Sequence, residues 1–114
     1  MIVQKNFAAI DIGSNAIRLL VSTITEKEGM ETNFRKTSLV RVPIRLGADV
    51  FLKQSISENN RDRMVDAMHA FSLLMKAHGV EKYKACATSA MREAKNADEV
   101  TEVIKKRTGI EIEI

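Results

Sequence analysis

"AAIDIGSNAIRLL", residues 8–20, holds two apolar runs separated by a short polar turn. The first run closes on Asp11 and Ile12, the turn is Gly13-Ser14-Asn15, and the second run opens at Ile17. Phe7 to Ile12 reads as a buried strand and Ile17 to Ile24 as a second. With only Gly13 to Ala16 between them, antiparallel pairing is expected. The turn also has the composition of an anion site. Gly13 removes a side-chain obstacle. Ser14 and Asn15 can donate from main chain and side chain, and successive N–H groups in such a turn can form a concave nest. The same residues are ordinary hairpin-turn chemistry, so the turn alone leaves both readings open.

Asp11 at the mouth of the turn narrows them. A free carboxylate beside phosphate is repulsive. Asp11 therefore points away and caps the turn, or binds a Mg²⁺ that also touches phosphate, or orients an attacking water. The last two imply phosphoryl chemistry rather than passive anion binding.

Working outward, Glu26 to Gly29 is a polar turn and Met30 to Val42 a third extended stretch. Pro43 suits its far end, because proline cannot donate to a sheet ladder. Gly47 marks a turn. Ser55 and Glu58 match a capping box ahead of a helix. Met64, Met68, Phe71 and Met75 recur on one face of that helix, most simply as core. His78-Gly79 ends it. Tyr83 to Ala87 reads as a strand buried on both faces. Asn96 starts a second long helix, Lys105, Lys106 and Arg107 suit the dipole of its last turn, and Gly109 stops it. "IEIEI", residues 110–114, alternates as a half-buried strand does. The expected order is β-β-β-α-β-α-β, an α/β fold with a mixed sheet, in which each helix crossover can return a parallel strand.

The chain has 114 residues, enough for one domain with a real core. With 45% apolar and 29% charged residues it has ordinary globular composition. No apolar run approaches the ~18 residues of a membrane helix, and the N-terminus lacks a signal-peptide core; a cytoplasmic location is expected, with no membrane partner. Nucleic acid is not an expected partner, since a net charge of +3 is mild and aromatics are only 4%. Cys86 is the one cysteine, so neither an internal disulfide nor a cysteine-built metal knuckle forms. Set mid-strand between alanines, it reads as a small buried thiol. His69 and His78 lack a partner at metal-ligand spacing.

A second constellation is "ATSAMREAKN", residues 87–96. Thr88 and Ser89 lie at a strand-to-helix switch, where open α/β sheets bind ligands. Arg92 follows within one helical turn and offers bidentate recognition of phosphate. The plainer alternative is that Thr88 or Ser89 caps a short helix and Arg92 is a surface charge.

Together these stretches resemble the exopolyphosphatase and guanosine pentaphosphate phosphatase family. "FAAIDIGSNAIRLL" looks like its first phosphate loop with flanking strands. "IRLG" at Ile44 to Gly47, "ATSAMREAKN" and "TGIEIEI" match in the expected order. The resemblance implies a ribonuclease-H-like subdomain of the actin-like ATPase superfamily. It also implies hydrolysis of a terminal phosphoanhydride, with Mg²⁺ or another divalent cation as cofactor. The substrate would be inorganic polyphosphate or a guanosine pentaphosphate or tetraphosphate. By position, Asp11, Gly13, Ser14 and Asn15 would form the phosphate loop, with Asp11 as the metal ligand. Arg18 would reach the substrate's far end, and Thr88, Ser89 and Arg92 would face the same cleft.

The resemblance places the general-base glutamate and a second phosphate loop after Ile114. Residues 1–114 are thus expected to be the N-terminal part of a phosphatase domain, with little turnover alone. Glu111 and Glu113 lie inside the last strand and are not taken as the base. The exposed edge of that strand offers a route to a homodimer. Two other functions fit the subdomain: an actin-like sugar kinase or ATPase, and a non-catalytic module that binds polyphosphate or an alarmone.

Overall fold

Strand β1, Ile2–Ile12, and strand β2, Ala16–Lys27, pair antiparallel from Ile2 opposite Lys27 to Ile12 opposite Ile17. The hairpin is longer than the apolar runs suggest, because polar residues continue the ladder past the core. The computed structural model describes residues 2–29 and 33–114. Strand β3, Asn33–Pro43, adds antiparallel to β2, with Pro43 at its far end as expected. Its expected start at Met30 lies outside the described residues. Strand β4, Val80–Ala87, joins the other side of β1 in parallel, and β5, Ile112–Glu113, joins β4 in parallel. The sheet order is β3-β2-β1-β4-β5.

Four helices connect these strands: α1 (Leu46–Lys53), α2 (Glu58–Ala77), α3 (Ser89–Glu93) and α4 (Ala97–Thr108). The order is β-β-β-α-α-β-α-α-β. The expected pattern is thereby corrected by two short helices, one before each long one. Gly47 does not mark a turn. It lies in the first turn of α1, where Leu46 and Val50 supply the buried side chains. The cap of α2 is Ser57, whose hydroxyl accepts from the Asn60 N–H, rather than Ser55.

Alternation along the strands decides where the helices sit. Ala8, Ile10 and Ile12 of β1, Ile17, Leu19 and Val21 of β2, and Ala85 and Ala87 of β4 are all buried. Their register pairs, Ala8 with Val21, Ile10 with Leu19 and with Ala85, put them on one face. Met64, Met68, Phe71 and Met75 of α2 are buried and complete that core. Full burial of one such side chain contributes about 1.5–3 kcal/mol. Helix α2 packs on β2, β4 and α4. The opposite face of the sheet carries Ala9, Asp11 and Arg18, all exposed. This corrects the reading of Tyr83 to Ala87 as buried on both faces. Tyr83 is 39% exposed, the Lys84 side chain is 69% exposed, and Cys86 is half-buried.

The segment between α1 and α2 is tied down by side chains. The Asn96 carboxamide donates to the Ile56 carbonyl at 2.9 Å and accepts from the Ile56 N–H at 2.8 Å. Asn96 thus precedes α4 as expected, but its side chain serves Ile56 instead of capping the helix. The Lys95 N–H donates to the Gln54 carbonyl at 2.9 Å. One oxygen of Asp49 accepts from the Ser57 N–H (2.9 Å), the Ser57 hydroxyl (2.8 Å) and the Asn60 carboxamide (2.8 Å). Burial pushes the Asp49 carboxyl up, but these hydrogen bonds and the Lys53 charge outweigh it and hold the group below its ordinary value. No helix among the described residues is long and apolar enough to cross a membrane.

Two outcomes are expected. Asn96→Ala leaves both polar groups of Ile56 without their partner and lowers stability by about 1–3 kcal/mol in urea unfolding. Asp49 has a depressed folded-state pKa, so its stabilisation is present above the unfolded value and is lost as pH falls through the folded one. Below about pH 4 the wild type should lose stability more steeply with acid than Asp49→Asn does. Parallel acid limbs would contradict this.

Candidate functional site

The turn at residues 13–16 is closed by the Gly13 N–H, which donates to the Ala16 carbonyl at 3.0 Å. A Cβ on Gly13 would sit 3.3 Å from that same oxygen, a tight approach that any larger residue would have to relieve by a small shift of the turn. Ser14 and Asn15 keep negative φ, since Gln54 is the only non-glycine residue with positive φ among those described. That excludes the type I′ and II′ turns that match strand twist best. A tertiary contact holds the turn instead. The Gly47 N–H, from the first turn of α1, donates to the Ser14 carbonyl at 2.9 Å. A Cβ at Gly47 would lie 3.1 Å from the Ser14 Cβ. The "IRLG" stretch therefore works as a clamp, with Ile44 and Leu46 buried as anchors and Gly47 pressed against the turn.

A shallow concavity of about 350 Å³ opens at this turn. It is lined by Asp11, Gly13, Ser14, Asn15, Ala16, Arg18 and Arg41. The structure thus gathers five residues expected at the site and adds Arg41, which sequence reasoning missed. Its signal was non-local: Arg41 is the register partner of Arg18 on β3, and Arg18 is the partner of Asp11 on β1. Among the described residues none of these three forms an ion pair. One carboxylate and two guanidiniums leave the rim with one unit of positive charge. The Gly13 N–H is used internally. The Ser14 and Asn15 N–H groups, with their side chains, have no hydrogen-bond partner among the described residues.

The second constellation divides. The Thr88 N–H donates to the Ile12 carbonyl at 3.1 Å, which sets Thr88 beside the start of the turn. Thr88 stands at the N-cap of α3 without a side-chain cap bond, and Ser89 begins that helix, exposed. The short helix of the plainer alternative is therefore present, but its hydroxyl cap is not. Arg92 is exposed in the last turn of α3 and lines a different concavity, with Lys95, Asp98 and Ile114. The structure does not bring it to the concavity at the turn.

Among the described residues no group of three or more histidine, cysteine, aspartate and glutamate side chains could hold a metal ion. The donors at the turn fit one arrangement. Mg²⁺ is commonly held by one or two carboxylates together with phosphate oxygens and water. Asp11 can supply the carboxylate, so a divalent cation fits here only in company with a phosphate ligand.

Residues 20–114 match the Ppx/GppA phosphatase family. Exopolyphosphatase 1 of Mycobacterium tuberculosis is 28% identical over 104 residues, 91% of this chain and 29% of that protein. Among solved structures, the Aquifex aeolicus member of the Ppx/GppA family superposes with a TM-score of 0.82 at 29% identity, over 97% of this chain and 35% of the other. An exopolyphosphatase from Cytophaga hutchinsonii gives 0.78 at 28% identity, over 96% and 33%. The chain thus spans about a third of the length of its relatives.

The clamp makes a direct prediction. Glycine to alanine inside a helix ordinarily stabilises by about 0.5–1 kcal/mol. Gly47→Ala should reverse that sign, because the new methyl meets the Ser14 Cβ, which is fixed to the backbone. Urea unfolding is the measurement, and a stabilised variant would show that the turn yields freely.

Proposed function

The chain belongs to the Ppx/GppA phosphatase family, and from that premise we propose that it forms one wall of a site that hydrolyses the terminal phosphoanhydride of inorganic polyphosphate. The observation that carries the reading is the turn itself. Ser14 and Asn15 present unpartnered N–H groups and polar side chains in a concavity that two guanidiniums and one carboxylate also line. In the proposed complex the terminal phosphate rests on these donors, and Arg18, expected at the substrate's far end but lining this same concavity, contacts its oxygens instead. Donors fixed before the reaction stabilise the charge that develops on the phosphoryl oxygens as water attacks and the shortened chain departs. Thr88 would approach the same phosphate from beside the turn, where its N–H bonds the Ile12 carbonyl, whereas Ser89, expected in the same cleft, does not line the concavity. Arg92 is left out of that contact, since it lines a different concavity.

Asp11 is the residue that would hold a divalent cation, which when bound neutralises phosphate charge and polarises the phosphoryl group. A carboxylate engaged in that way is not free to take a proton from water. Asp11 is also the only carboxylate lining the concavity among the described residues. Turnover then needs a second acid–base group beyond this wall, consistent with a chain that spans 29% of Exopolyphosphatase 1. Polyphosphate is the substrate we favour on the likeness to exopolyphosphatases, 28% identical over 91% of this chain and 28% over 96%.

Calorimetric titration of the 114-residue chain with linear triphosphate should show binding that strengthens when Mg²⁺ is added. Asp11→Asn should abolish most of the metal dependence, which would separate a metal ligand from a repulsive neighbour. If the variant binds more tightly with no metal effect, Asp11 is only the latter. Phosphate release from polyphosphate by this chain should stay at background, and sustained turnover would overturn the assignment of a missing acid–base group.

A further inference from the structure

Arg18 and Arg41 stand directly opposite each other across β2 and β3, on the sheet face away from the helices. Opposed residues on neighbouring strands lie about 4.5–5.5 Å apart at Cα and project to the same side. Like charges so placed destabilise a sheet. Nothing in the described structure offsets this pair. Neither guanidinium forms an ion pair, and Asp11, opposite Arg18 on β1, does not come within ion-pair distance of either. Both nevertheless line the concavity at the turn. Two uncompensated guanidiniums side by side are an arrangement completed by a ligand carrying several negative charges. Arginine suits phosphate oxygens through its planar fork of donors.

The placement is also directional. Asp11, Arg18 and Arg41 occupy three successive strands in one row, and neighbouring strands are about 4.8 Å apart. Arg41 is therefore two strand spacings from Asp11, about 10 Å, while the donors of the turn lie next to Arg18. A ligand that fills only the turn does not extend along the row. A linear chain whose end sits in the turn crosses β2 and arrives at β3.

We propose that Arg41 is a specificity-determining residue for chain length, a subsite that takes a phosphate group some way behind the terminal one. This rests on the reading of the turn as a phosphate site and adds to it the direction in which the substrate leaves. Arg41 belongs to β3, and among the described residues no further strand lies beside β3 on the side toward which the chain continues.

The test compares wild type, Arg41→Gln and Arg35→Gln by calorimetry at low ionic strength, with diphosphate and with linear tetraphosphate. Arg35 removes the same charge from the same strand, but it lines a concavity far from the turn, with Gln4 and Thr25. All three proteins are first shown to be folded by circular dichroism and urea unfolding. Arg41→Gln should weaken tetraphosphate about tenfold, as expected for one lost bidentate contact, and diphosphate less than twofold. Arg35→Gln should leave the ratio between the two ligands unchanged. Equal weakening of both ligands by Arg41→Gln, no weakening, or the same selectivity from Arg35→Gln would each overturn the subsite while the turn still binds diphosphate. A wild type that binds neither ligand would overturn the functional reading and this inference with it.

Discussion

Strand β1 is paired on both sides, antiparallel to β2 and parallel to β4, and the candidate site depends on that double pairing. The antiparallel side creates the turn at residues 13–16. The parallel side brings Ala87 level with Ile12, so Thr88 continues the ladder by donating to the Ile12 carbonyl. A parallel neighbour requires a crossover, because its start must be carried back along the sheet. Helices α1 and α2 form that crossover, and their burial on one face supplies the core.

The crossover also finishes the turn. With negative φ at Ser14 and Asn15, the hairpin lacks the turn geometry that fits strand twist, so its shape needs outside support. Gly47 provides it, through a hydrogen bond and a close approach in which an added methyl would lie 3.1 Å from the Ser14 Cβ. Helix α1 is in turn fixed through Asp49 to the start of α2, and the segment after α1 is fixed through Asn96 and Lys95 to the region that follows α3. The stretches 13–16 and 88–96, far apart in sequence, are thereby linked through one chain of hydrogen bonds. These polar bonds act together with buried apolar anchors on the same segments, Leu46, Val50, Ile56 and Met91.

Charge is arranged with the same economy. Asp11 at the mouth of a turn with unpartnered N–H groups looks misplaced when only its own strand is considered. Across the sheet it faces Arg18, and beyond that Arg41, and the row as a whole is positive. In the function we propose, a carboxylate in that row would hold a cation while the net positive charge of the row still favours phosphate. The face that carries the row has no helix on it among the described residues, which is why alternation along β1 sends Ile10 and Ile12 to the core and Asp11 outward.

Much of this was legible from local pattern. The Ile10, Ile12, Ile17 and Leu19 alternation, the methionine and phenylalanine stripe of α2, the glycine stops at Gly79 and Gly109 and the edge proline Pro43 each follow from periodicity or backbone freedom within a few residues. They determine the strands, the two long helices, the mixed sheet and the turn that carries Asp11, Ser14 and Asn15. What stayed hidden rests on contacts between distant segments. Gly47 read as a turn because its use, a close approach to Ser14, is invisible along the chain. Arg41 read as an ordinary strand residue because register between β2 and β3 is set by pairing, not by spacing. Arg92, one helical turn from Thr88 in sequence, faces another concavity because the packing of α3 orients it. Local sequence dictates which groups are present and in what conformation; only the packed sheet decides which of them share a surface, since that depends on register and helix orientation across the whole fold.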